Sequence, residues 1–209
     1  MSFPSRRSVV LSTLALTGCS ILPKGNPPPQ LYRLTAAPPA PSSGPAMKGQ
    51  LLVDTPFAPA ALDTDRIALT RSPTSFDYFG GVAWSDRAPL MVQGLLIESL
   101  EKSGQVPAVA RESLALRADW ALKTDLSHFE AQYGAGSTAE APPEVRIAFS
   151  VKLVRMSDRV VIGQHLANAV QRAARNDIPA VVDAFDSALH QIIREIIAWV
   201  VATGAAAAR

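Results

Sequence analysis

Cys19 is the chain's one cysteine, and His128, His165 and His190 are its three histidines. Nucleophilic or metal chemistry would have to be built from these side chains. A lone thiol cannot close an intrachain disulfide. No two of the histidines stand at metal-ligand spacing, so each reads as structural or surface. Gly80-Gly81 is followed by no Walker-type lysine and reads as a turn rather than a phosphate cradle. There is no G-x-S-x-G elbow, and Ser, His and Asp show no triad-like spacing. Asp63-Thr64-Asp65 is an acidic pair short of the oxygen ligands a calcium loop needs. Asp125, Glu130 and Glu140 are dispersed. These residues give no support for a catalytic site, and no metal site or cofactor is expected.

Two features remain. One is an aromatic cluster: Phe76, Tyr78, Phe79 and Trp84 fall within nine residues. It reads either as core filling or as a docking or lipid-contact surface, together with Asp86 and Arg87 just beyond it. Trp199 reads as packing on the last helix. The other is Cys19. Arg6 and Arg7 precede an apolar run, Val9 to Leu16, broken only by Ser12 and Thr13. That run is too short to span a bilayer and fits the apolar region of a secretory signal. Leu16-Thr17-Gly18-Cys19 resembles a bacterial lipobox, which implies loss of residues 1–18 and a covalent lipid on Cys19. Ser5 to Val10 also resembles a twin-arginine signal, so both export routes stay open. Ser20 resembles the sorting residue of Gram-negative outer-membrane lipoproteins, which implies a domain facing the periplasm. Each buried CH₂ contributes about 0.8 kcal/mol and several chains hold a protein durably. No later stretch carries about 20 uninterrupted apolar residues, so no transmembrane helix is expected.

The formal net charge of +2 comes from the signal. Residues 1–18 hold two arginines and no acid, so the remaining 191 residues balance 18 basic against 18 acidic side chains. No basic field is left to attract nucleic acid. The length suits one domain with a real core.

The elements that must position these residues follow from pattern. Residues 19–30 are a lipidated, Pro-rich tether in which Pro27-Pro28-Pro29 favours an extended spacer. A second Pro-rich stretch, 36–49, reads as a surface loop. Short strands are expected at 31–35, 50–55, 66–71 and 75–79, with a hairpin about Ser72-Pro73 and the last strand ended by Gly80-Gly81. Asp86 reads as the N-cap of a helix running to about Ser103 and stopped by Gly104. Long strands are expected at 119–133, 144–157 and 159–172. The middle one alternates Val145, Ile147, Phe149, Val151 and Leu153 against Arg146, Ser150 and Lys152. A helix capped by Asp177 carries apolar residues at a period near 3.6, and residues 204–209 form a fraying tail. The sum is a single α+β domain over 31–203, a mostly antiparallel sheet with two helices on one face.

The order of these features resembles the ABC-type transport auxiliary lipoprotein family, which includes PqiC-like envelope lipoproteins. The resemblance rests on the lipobox, the tether, Tyr32-x-Leu34, the strand after Asp63-Thr64-Asp65-Arg66-Ile67, and Tyr78 through Trp84-Ser85-Asp86-Arg87-Ala88-Pro89-Leu90 opening a helix. It implies a non-enzymatic subunit of an envelope lipid-transport system. Its partners would be a periplasmic MCE-domain protein and an ABC transporter or permease, and it could form homo-oligomeric rings. Two other readings stay open: an assembly-factor lipoprotein, such as a pilotin or cell-wall synthase activator, and an envelope hydrolase.

Overall fold

The structure is a computed structural model that describes residues 27–39, 46–111, 117–134 and 140–207. Cys19, the signal and the first part of the tether lie outside the described residues. The elements run β1 (Gln30–Tyr32), β2 (Gln50–Val53), β3 (Arg66–Thr70), β4 (Asp77–Trp84), α1 (Ala88–Ser103), β5 (Ala108–Arg111), β6 (Trp120–Gln132), β7 (Glu144–Arg155), β8 (Val160–Arg172) and α2 (Ile178–Ala207). No described helix is long and apolar enough to cross a membrane.

β6 organises the sheet. One of its edges carries β7 antiparallel along its whole length, and β7 carries β8 in the same way. The other edge is shared. β2 runs parallel to the start of β6, and β3 runs parallel to its end. Between them the chain bridges Phe57 to Asp125 and then leaves the sheet. β5 adds to β2 and β1 adds to β4, both in parallel, while β3 and β4 form the antiparallel hairpin. The sheet is therefore mixed, which corrects the expected mostly antiparallel one. Alternation reports which face of a strand is buried, whereas direction is set by the partner. The parallel partners are joined by long connections, which pass through α1 for β2 with β5 and β6 and for β3 with β6, and through β2 and β3 for β1 with β4.

The inner face is closed by both helices. Inward residues of β6 and β7, including Leu122, Phe129, Ile147, Phe149 and Val151, meet Phe185, Leu189, Ile192 and Ile196 of α2, all at or below 1% exposure. Trp84, Phe129 and Phe185 form a ring cluster with centroids 5.2–6.1 Å apart. Such pairs add about 0.5–1.5 kcal/mol to what burial alone supplies.

Local chemistry explains the element ends and corrects several expectations. Pro89 sits in the first turn of α1, where its missing N–H costs nothing. The N-cap is Arg87, with no side-chain cap bond, rather than Asp86, whose Oδ1 instead accepts from the Arg87 backbone N–H. Gly104 ends the helix at φ 65°, a left-handed conformation that favours glycine. Asp177 caps α2 by accepting from the Ala180 N–H at 2.9 Å. α2 continues to Ala207, so most of the expected fraying tail is helix, with Gly204 buried against Met47. Gly80-Gly81 does not end the hairpin's second strand. β3 residues Arg66 and Ala68 face Ala83 and Tyr78, so the glycines sit in an irregularity inside β4, with Gly81 at φ 72°. β5 was not apparent from the pattern, being four residues of mixed exposure.

The segment entering from the tether is strapped across both helices. Thr35 donates its N–H to Asp186 Oδ1 at 2.6 Å and its hydroxyl to Oδ2 at 2.8 Å. Its Oγ1 also lies 2.9 Å from His190 Nε2. Two residues on, the Ala37 N–H donates to Ser99 Oγ of α1 at 3.0 Å. Leu34 and Ala37 are buried between these ties.

Candidate functional site

The six residues of the expected partner surface do not share one surface. Trp84 is 1% exposed and packs on Phe129 and Phe185, so it belongs to the core. It is the last residue of β4, and its alternation turns it inward. Phe79 is partly buried against the core. Tyr78 lies under the Arg66 guanidinium, 3.6 Å from the ring centroid, and donates its hydroxyl to the Ala61 carbonyl at 3.1 Å. Asp86 and Arg87 are exposed at the start of α1, and Arg87 pairs with Asp63. Of the six, Phe76 alone is an exposed aromatic, 43% exposed at the hairpin tip with its ring edge-on to Tyr78.

Phe76 does form one wall of a cleft of about 910 Å³. The floor is the outer face of the sheet: Ser127, His128, Glu130 and Gln132 of β6, Glu144 and Arg146 of β7, and Arg172 of β8. Pro59 to Leu62 and the β3–β4 tip form its walls. Register places these side chains together. Glu130 stands opposite Arg146, and Gln132, Glu144 and Arg172 form a row across three strands.

Glu130 is the one buried acid in this floor, at 3% exposure. Its carboxylate accepts from the Phe129 N–H at 2.7 Å and from Gln132 Nε2 at 2.9 Å, and lies 2.7 Å from His128 Nδ1. A buried carboxylate is stable only when so satisfied. At the rim, Arg71 stacks over Tyr133 at 4.7 Å, and the Tyr133 hydroxyl donates to Asn176 at 2.8 Å. Burial pushes the Tyr133 hydroxyl pKa above its ordinary value, with Arg71 opposing.

The other histidines tie elements together. His165 Nε2 lies 2.6 Å from Glu195 of α2 and its ring stacks on Trp199. His190 joins the Thr35 strap. The Asp63-Thr64-Asp65 loop is likewise a clasp: Ala88 N–H donates to the Thr64 carbonyl and Trp84 N–H to that of Asp65. No group of three potential metal ligands occurs among the described residues. Sequence reasoning missed the cleft because its members are far apart in the chain. The available signal was the outward-facing set of β7, where Arg146 alternates with the core residues.

Comparison with known proteins agrees with the architecture. The family model of the ABC-type transport auxiliary lipoprotein component matches residues 32–197. The crystal structure of XCC0632 from Xanthomonas campestris, of family DUF330, is similar with a TM-score of 0.78 and 30% identity, over 86% of this chain and 98% of that one. The hypothetical protein CT253 from Chlamydia trachomatis shares the fold, with a TM-score of 0.52 and 12% identity over 76% of this chain and 99% of its own. The Bradyrhizobium diazoefficiens protein bll6063 is 30% identical over 76% of this chain, which spans 42% of that relative's length. The chain thus belongs to the ABC-type transport auxiliary lipoprotein component family, a class of membrane-anchored transport components rather than of enzymes.

Proposed function

We propose that this protein is a non-enzymatic subunit of an MCE-type envelope lipid-transport system, anchored by lipid on Cys19 to the outer membrane and docking the periplasmic MCE assembly there. The observation that carries the reading is the family match across residues 32–197, nearly the whole described domain. The lipobox-like Leu16 to Cys19 stands just upstream of it.

The geometry supports the same arrangement. β1 runs parallel to β4, with Gln30 beside Val82 and Tyr32 beside Trp84. The chain therefore enters from the side of β4 that leads back to the β3–β4 tip. A tether from Cys19 to Gln30 reaches at most roughly 40 Å when fully extended, so the anchor would hold the hairpin end of the sheet near the membrane. The Thr35 strap across Asp186 and Ser99's tie to Ala37 transmit any pull on the tether to both helices. Phe76 at the hairpin tip and, separately, the exposed Asp86-Arg87 start of α1 are the contacts offered to partners, and rings of this chain are part of the proposal.

The test is an affinity capture of the native lipidated protein from membranes in mild detergent, beside Cys19→Ala, with mass spectrometry of what is retained. The expected result is an MCE-domain protein with its transporter, reduced in the variant. Recovery of a secretin or a cell-wall synthase in its place would overturn the reading in favour of an assembly factor.

A further inference from the structure

The cleft on the outer face is lined by three arginines and two glutamates, Glu130 and Glu144, and two of the arginines are left without an ion pair or ring contact among the described residues. Arg71, Arg146 and Arg172 all line it. Arg71 is engaged with Tyr133. Arg146 and Arg172 make no ion pair among the described residues, although each stands in register with a glutamate, Glu130 and Glu144. Glu130 has turned away from Arg146, its oxygens taken by Phe129, His128 and Gln132. Register also makes Arg146 and Arg172 diagonal neighbours on adjacent strands, since Arg172 faces Glu144 and Arg146 faces Val170. Such positions lie about 7–8 Å apart, close enough for both side chains to reach one group between them. Guanidinium forks bind tetrahedral oxyanions through paired, charge-assisted hydrogen bonds. Phe76, Leu62 and Pro73 give the same cleft an apolar side.

From this register and lining we propose that the cleft is a phosphate-binding site, with Arg146 and Arg172 gripping the oxyanion and Arg71 at its rim. The ligand is a phosphate monoester or diester, either free or as a lipid headgroup. The site stands independently of the transport reading; only the headgroup as source rests on that reading.

The test uses the full-length lipidated protein reconstituted in nanodiscs of phosphatidylcholine, titrated calorimetrically with inorganic phosphate and with glycerol 3-phosphate. Binding is expected, and Arg146→Gln and Arg172→Gln should each weaken it at least about tenfold. Lys152→Gln, a cation of β7 outside the cleft lining, should leave it unchanged. Arg172 is exposed on an edge strand, so its variant keeps the fold even if Arg146→Gln disturbs it, and circular dichroism melts verify this. Repeating the titration in nanodiscs that contain phosphatidic acid separates the sources. Loss of phosphate binding there supports a headgroup occupant, and unchanged binding supports a free ester. No binding by the unaltered protein to either probe overturns the proposal, as does equal weakening by Lys152→Gln. Neither outcome bears on which proteins are captured with the anchored chain.

Discussion

The two faces of one sheet are built on opposite principles. The inner face of β6 and β7 is a continuous apolar layer sealed by α2, in which Phe129, Phe149 and Phe185 are at most 1% exposed. The outer face of the same strands carries His128, Glu130, Glu144, Arg146 and Lys152, with a cleft over one end. A few apolar contacts on that side, Leu52, Ala110, Ala121 and Val154, form a small separate patch. Stability is thus concentrated on one side of a single layer of backbone, and the other side is free to carry charged groups. A shared strand lets the two faces change independently, because successive side chains point to opposite faces.

The comparison breaks most sharply in the core. Phe185→Ala should cost about 3–5 kcal/mol, because the cavity sits between Trp84 and Phe129. Trp84→Ala should fall in the same range. Urea unfolding midpoints check both; an effect of Trp84→Ala below about 1 kcal/mol would return that ring to the surface. An intermediate loss is expected at Gly81→Val. A φ of 72° forces a β-branched side chain into the left-handed region, at about 1–2 kcal/mol. Open space around the site means that backbone strain, not a clash, is what the unfolding curve would read.

On the outer face, Phe76→Ala should change stability by no more than about 0.5 kcal/mol, as expected for an exposed side chain. If the hairpin tip is the docking surface, partner capture should fall while the melting temperature holds. A drop in both would mean that Phe76 is structural support for Tyr78.

The smallest effect is at the start of α2. The Asp177 carboxyl sits below its ordinary pKa because it accepts from the Ala180 N–H and, next, pairs with Arg175. A depressed native pKa means the stabilisation is complete above the ordinary value of 3.8 and is lost as pH falls through the lower native value. Acid unfolding of Asp177→Asn should therefore show a slightly weaker pH dependence in that range than the unaltered chain. An identical profile would show that the cap adds no linkage.

Much of the fold was legible because local chemistry writes it. Residues Val145 to Leu153 alternate, so β7 and its buried face were readable in isolation. Asp177 with the 3.6-residue period announced α2, and Pro89 with Gly104 bounded α1. The cleft was not legible. Arg71, Arg146 and Arg172 come from three strands or their ends, and nothing local relates them. Trp84 misled for a related reason: exposed and buried aromatics look alike until the strand that carries them has a register.

The chain's own pattern determined the elements, the face each strand buries, and the signal-like run ending at Cys19. Only the tertiary structure decided strand direction, the sharing of one β6 edge by β2 and β3, the burial of Trp84, and the placing of Arg146 and Arg172 in one cleft. The division has a physical cause. Periodicity is set by contacts within a turn or a pleat, whereas direction, register and convergence are set by pairing partners tens of residues away.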